Sequence, residues 1–187
     1  MHFALQPADT SKRARATRQL FSIAFEHGDS VRILIEASNY TSAFGLVRLQ
    51  YEALVRGFWL SLVASEDEVA HIGRDLSVDG VERLPMTLEM LKLLRGNAPG
   101  GVMVALEDFR EKSLKPLNSF VHSGGHAYQR AGGGYPEALV SQVLVASNGL
   151  QWVCALEVAA LADDANAAVR LHGIRTTFAD CLPASAV

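Results

Sequence analysis

Apolar residues recur along this chain at helical spacing, and β-branched residues fall inside helical periods rather than in strand-like alternation. Between Phe44 and Leu62, FGLVRLQYEALVRGFWLSL, nearly every face is apolar, which predicts a helix that belongs in a core. Arg48, Glu52 and Arg56 interrupt it. A spacing of four moves a side chain only about 40° around a helix, so the two arginines flank the carboxylate on one stripe, to which Trp59 returns. Charges on such a helix are expensive to desolvate unless paired. The stripe is therefore either an internal clamp or the floor of a polar cleft.

Caps and breakers divide the rest of the chain. A first helix starts near Asp9, with Thr10 or Ser11 as N-cap, and is expected to end at Gly28. A second helical region opens near Ser30, bends around Asn39 to Thr41 and runs through the central stretch to about Ala64. Ser65 followed by Glu66, Asp67 and Glu68 reads as an N-cap with an acidic first turn, starting a short helix to about Leu76, and Gly80 breaks the pattern. MTLEMLKLLRGN, after Pro85, is helical up to Gly96. A further helix runs from about Val102 to His122, kinked or restarted near Pro116. The segment HSGGHAYQRAGGGYP holds five glycines and predicts a flexible or tightly turned connection. Its His122, His126, Tyr128 and Arg130 make it the most function-like loop of the chain. Pro136 opens a helix to about Ala162, and a last one spans about Asp164 to Asp180. The fold class is all-α: one domain over 1–187 with flexible ends near 1–9 and 181–187, built as an up-and-down antiparallel bundle of six or seven helices. Its central four are expected at 30–64, 85–96, 102–122 and 136–162.

Composition narrows the function classes. With 49% hydrophobic and 20% charged residues the chain is globular rather than disordered. A net charge of −3 gives no overall attraction to nucleic acid, so such a contact needs a local basic patch. Lys12, Arg13, Arg15 and Arg18 form a dense basic cluster, read as a solvated helix face in preference to a phosphate-contacting patch because no aromatic residues interleave. Cys154 and Cys181 lack metal-ligand spacing and fit a reducing cytoplasm. The N-terminal MHFALQPADT has no export signal, so a cytoplasmic location is expected. Ala138 to Leu156 is an uncharged run of 19 residues, yet Ser141, Gln142, Ser147, Asn148 and Gln151 punctuate it, and a core helix is expected rather than a membrane span.

Candidate chemistry centres on Asn118 and His122. Four apart, they share a helix face near its C-terminal end, where an imidazolium is favoured by the helix dipole. A histidine oriented by an amide and near a phosphate-binding arginine suffices for acid–base chemistry on RNA without a metal. The same two residues could instead cap the helix and satisfy buried charges next door. His122 and His126 also read as H-x-x-x-H, but Ser-Gly-Gly lies between them and no third ligand is evident, so no metal site and no cofactor are expected. Walker loops, dinucleotide fingerprints and nucleophile elbows are absent.

Arg48, Tyr51-Glu52-Ala53, Val55-Arg56-Gly57-Phe58-Trp59-Leu60, and Leu117-Asn118 with His122 and Gly124 resemble the signature of an uncharacterised bacterial helical domain family of unknown function. More distantly, the helical layout and the Asn-x-x-x-His element look like the HEPN superfamily of small helical bundles. That resemblance implies a metal-independent ribonuclease of a defence or toxin–antitoxin system, acting as a homodimer with RNA and an antitoxin or other protein as partners. Leu117 stands where those enzymes carry an arginine, so Arg48, Arg56 or Arg130 is expected to supply the guanidinium. On this reading His122 is the acid or base, Arg48 and Arg56 hold the phosphate, Asn118 orients His122 and Glu52 positions the arginines. The alternative is a non-catalytic helical interaction module with an Arg-Glu-Arg clamp.

Overall fold

A computed structural model describes residues 9–72, 84–162 and 165–184. Among them the chain is helical without strands, in the order α1 (Lys12–Glu36), α2 (Tyr40–Leu62), α3 (Glu66–Ile72), α4 (Thr87–Leu94), α5 (Gly100–Phe109), a π-helical turn (Arg110–Leu114), α6 (Lys115–Val121), α7 (Gly125–Gly133), α8 (Glu137–Leu161) and α9 (Ala165–Thr177). The all-α bundle is as the periodicity predicts, with more segments than the six or seven expected. The extra ones come from the 102–122 stretch, divided by the π turn, and from the glycine-rich segment, which is helical.

Ser11 caps α1, its Oγ accepting from the Ala14 amide at 3.1 Å. Gly28 does not end that helix. A Cβ there would lie 2.4 Å from Gln151 Nε2, so this glycine gives α8 close approach instead of stopping α1. The actual break is at Ala37 to Asn39, where Ser38 takes φ 59°, and 30–64 is therefore two helices folded into a hairpin. The hairpin is tight because Gly57 sits against Phe21, whose ring meets Phe58 edge-on at 5.3 Å. Ser65 and Glu68 cap α3 reciprocally, at 2.7 Å from the Ser65 amide and 3.3 Å from the Glu68 amide. The predicted extension to Leu76 and the break at Gly80 lie outside the described residues.

The pairings fix the topology. α1 and α2 run antiparallel, as do α2 and the α5–α6 arm, where Phe44 meets Phe120 and the Tyr51 hydroxyl donates to the Leu106 carbonyl at 3.2 Å. α8 lies parallel to α2 across the bundle, since Gln50 reaches Ser147 and Ser61 reaches Glu157. The central four are thus α1, α2, α5–α6 and α8. This corrects the expected set: the 85–96 segment contributes only α4, eight residues packed on α2, and α1 takes its place.

α2 supplies the middle of the core through Phe44, Val47, Tyr51, Leu54, Phe58 and Trp59. α8 is long and apolar enough to cross a membrane by length and composition, and it packs against α1, α2 and α5. Residues 181–184 are held against the bundle. The Asn148 amide donates to the Cys181 carbonyl at 3.1 Å, and Pro183 covers Gly149.

Candidate functional site

Arg48, Glu52 and Arg56 occupy the half-buried positions of α2, amid neighbours that are almost all buried, and Trp59 on the same stripe is only 1% exposed. Arg48 pairs with Glu52, whose Oε1 also accepts from Thr87 Oγ1 at 3.2 Å. The carboxylate thereby ties α2 to the start of α4. Arg56, one turn on, keeps a buried Nε without a hydrogen-bond partner among the described residues, as does the Nε of Arg48. The stripe is a pair with a lone guanidinium beside it, not a closed three-residue clamp.

Asn118 and His122 are placed elsewhere. Both are exposed on α6, whose Leu117 and Phe120 face the core, and His122 is the residue that ends the helix, its amide bonded to the Asn118 carbonyl at 3.3 Å. Among the described residues no hydrogen bond or ion pair joins either side chain to Arg48, Glu52 or Arg56. The structure thus links Arg48 to Glu52 and, among the described residues, bonds neither Asn118 nor His122 to them. Ser123 follows with φ 51°, breaking the helix, so His122 and His126 belong to different helices. Among the described residues no cluster of three or more His, Cys, Asp or Glu side chains gathers around a common point.

The segment expected as a loop is helix α7, and it builds the cleft that the Arg48 stripe does not. Ser119 is the hinge pin. Its Oγ accepts from the His126 amide at 2.9 Å and lies where a Cβ on Gly124 would fall, so α7 can fold back closely against α6. His126 and Arg130, one turn apart on α7, thereby reach the same depression as Lys112 and Ser113 of the π turn and Gln142 of α8. This cleft is open to solvent, encloses about 230 Å³ and has an apolar floor that includes Phe44, Leu117 and Phe120. A π turn is wider than an α turn and frequently marks functional sites. Here it presents Lys112, which pairs with Asp108 at 2.5 Å, to the cleft mouth.

The electrostatics around the cleft differ from those of the whole chain. From Lys112 to Pro136 the sequence has no acidic residue, while Lys112, Lys115 and Arg130 are cationic, Lys112 being paired with Asp108 one turn earlier. Tyr128 stands among them with 81% of its surface exposed. The sequence marked this segment as the most function-like of the chain, but its five glycines were expected to form a loop, not helix α7. By contrast the N-terminal basic cluster is partly used internally. Arg13 donates to the Leu60 carbonyl at 2.5 Å and pairs with Glu66 at 2.7 Å, and Arg18 donates to the Asp9 carbonyl at 2.8 Å.

Fold and site together define an all-α bundle with an open, cation-lined cleft between its third arm and α8. The chain belongs to DUF6988, a family of unknown function, whose model matches residues 21–184. No curated protein and no solved structure matches it.

Proposed function

We propose that this protein is a metal-independent, HEPN-like ribonuclease whose working site is the Lys112, His126, Arg130 cleft. The observation that carries the reading is that a histidine, an arginine and a lysine line one open cleft. Cations hold phosphates, and the apolar floor of Phe44, Leu117 and Phe120 keeps the site partly dry. His126 as neutral imidazole takes the proton of a ribose 2′-hydroxyl; the new O2′–P bond displaces the 5′-oxygen, which takes a proton from water. Arg130 and Lys112 balance the charge that gathers on the phosphoryl oxygens. Asn118 and His122, on the neighbouring exposed face, continue the strand's path rather than perform the chemistry. Defence or toxin–antitoxin service as a cytoplasmic homodimer with an antitoxin partner is the setting that the resemblance suggests for such an activity.

The test is cleavage of end-labelled single-stranded RNA, with EDTA and with added Mg²⁺. The reading expects cyclic-phosphate products insensitive to chelator, lost in His126→Ala and retained in His122→Ala. RNA left intact by the wild-type protein sinks the catalytic claim. A second reading, a non-catalytic helical interaction module, is favoured by one specific observation: Glu52 bridges Arg48 and Thr87, as a structural strut between helices does. It expects His126→Ala to change no activity.

A further inference from the structure

The cationic cleft does not end at α7. It shares Lys112, Ser113, Gln142 and Ala146 with a second open cavity of about 320 Å³ that runs between α5 and α8 toward the chain's C-terminal turn. The two halves differ in chemistry. The second is walled by apolar groups, among them Phe109, Val145, Leu150 and Val153, together with Asp108, whose carboxylate pairs with Lys112, and is bounded at its far end by Pro183, which packs over Gly149. Phe109 is held in place by stacking on Tyr51, ring centroids 4.8 Å apart and 19° between planes. At the junction stands Gln142, exposed and with no hydrogen-bond partner for its side chain among the described residues. An amide in that state offers both a donor and an acceptor, the pair that reads a base edge.

We infer that this second cavity is a nucleobase subsite: a nucleotide whose phosphate lies among Lys112, His126 and Arg130 seats its base against Phe109 and Val145, with Gln142 hydrogen-bonded to the base edge. The inference rests on the phosphate reading of the adjoining cleft and gives it a substrate class, single-stranded RNA with a preference at one base. A duplex cannot use the subsite, because a paired base is not free to turn into an apolar cavity.

Calorimetric titration of the full chain with ribose 5-phosphate, the four nucleosides and the four nucleoside 5′-monophosphates separates the two claims. Ribose 5-phosphate reports on the cleft alone and the nucleosides on the subsite alone. The expected result is that at least one nucleoside monophosphate binds about tenfold or more tightly than ribose 5-phosphate. Val145→Trp, which fills the cavity without touching the cleft, should erase that difference and leave ribose 5-phosphate affinity unchanged. Gln142→Leu should level the affinities of the four bases. Melting curves of both variants establish that they are folded, and Ala105→Phe, which lines the second cavity and not the cleft, serves as a second cavity-filling variant if Val145→Trp is not. Equal affinity for ribose 5-phosphate and all four monophosphates overturns the subsite while leaving the cleft standing. Failure of ribose 5-phosphate and every monophosphate to bind removes both.

Discussion

Gln50 of α2 and Ser147 of α8 meet in the middle of the bundle, 0% and 1% exposed, and exchange two hydrogen bonds: Ser147 Oγ donates to Gln50 Oε1 at 2.7 Å, and Gln50 Nε2 donates to the Ser147 carbonyl at 3.1 Å. This polar pair fixes the register of the two helices, because among the described residues neither side chain has another hydrogen-bond partner. Ser147→Ala removes one bond and strands the Gln50 carbonyl oxygen in an apolar core, at a cost of about 1–3 kcal/mol. Gln50→Leu removes both and strands the Ser147 hydroxyl, with a cost of similar size, about 2–3 kcal/mol. The double variant leaves no polar side chain unpaired, so it should lie within about 1 kcal/mol of wild type. A coupling of about 2 kcal/mol or more between the sites follows. Urea unfolding gives these free energies, and each kcal/mol corresponds to roughly 2–4 °C in Tm for a chain of this size. Additive single-site losses would refute the register-fixing role.

Other consequences concern packing, the α2 stripe and pH. A Cβ at Gly57 would lie 2.5 Å from the Phe21 ring, so Gly57→Ala should destabilise by about 1–3 kcal/mol despite better helix propensity; chemical denaturation with no loss of midpoint would show that the α1–α2 hairpin has slack. Glu52→Ala removes the partner of Arg48 and of Thr87 and should cost about 1–2 kcal/mol, modest because both charged side chains keep some solvent contact, while leaving RNA binding intact. Burial raises the Glu157 carboxyl above its ordinary range, against the hydrogen bond from Ser61. Its folded form therefore favours the proton, and the stability it confers is complete below the ordinary glutamate pKa and lost as pH rises through the raised one. Glu157→Gln should then be more stable than wild type at neutral pH, with the advantage shrinking on acidification; a pH-independent difference in melting temperature would contradict this.

Much of the fold was legible because its signals are local. Ser11, the Ser65–Glu68 box and the apolar run of α2 each act within a few residues, and each behaves as its chemistry dictates. Glycine was the recurrent source of error, since its missing side chain serves two different ends. Gly28 was expected to stop a helix and instead admits Gln151, while the glycines around His126 were expected to form a loop and instead allow α7 to fold against Ser119. Which end applies depends on a partner distant in sequence. The site suffered for the same reason. The spacing of Arg48, Glu52 and Arg56 correctly placed them on one stripe, but which helix covers a stripe is a tertiary fact, and α6 presents Asn118 and His122 to solvent instead of to α2. Lys112 and Gln142 were not singled out for the site because only the π turn and the placement of α8 bring them beside His126 and Arg130.

The central claim, that the cleft of Lys112, His126 and Arg130 receives the phosphates of single-stranded RNA, is tested most directly by the salt dependence of RNA binding in wild type and Arg130→Gln. Each phosphate neutralised on a single strand contributes about 0.7 to the slope of log K against log salt concentration. The account predicts a weaker Arg130→Gln complex with the slope reduced by about 0.7, and no change of slope for Arg15→Gln at the far N-terminal basic cluster. Identical slopes in wild type and Arg130→Gln, or a loss confined to Arg15→Gln, would contradict it.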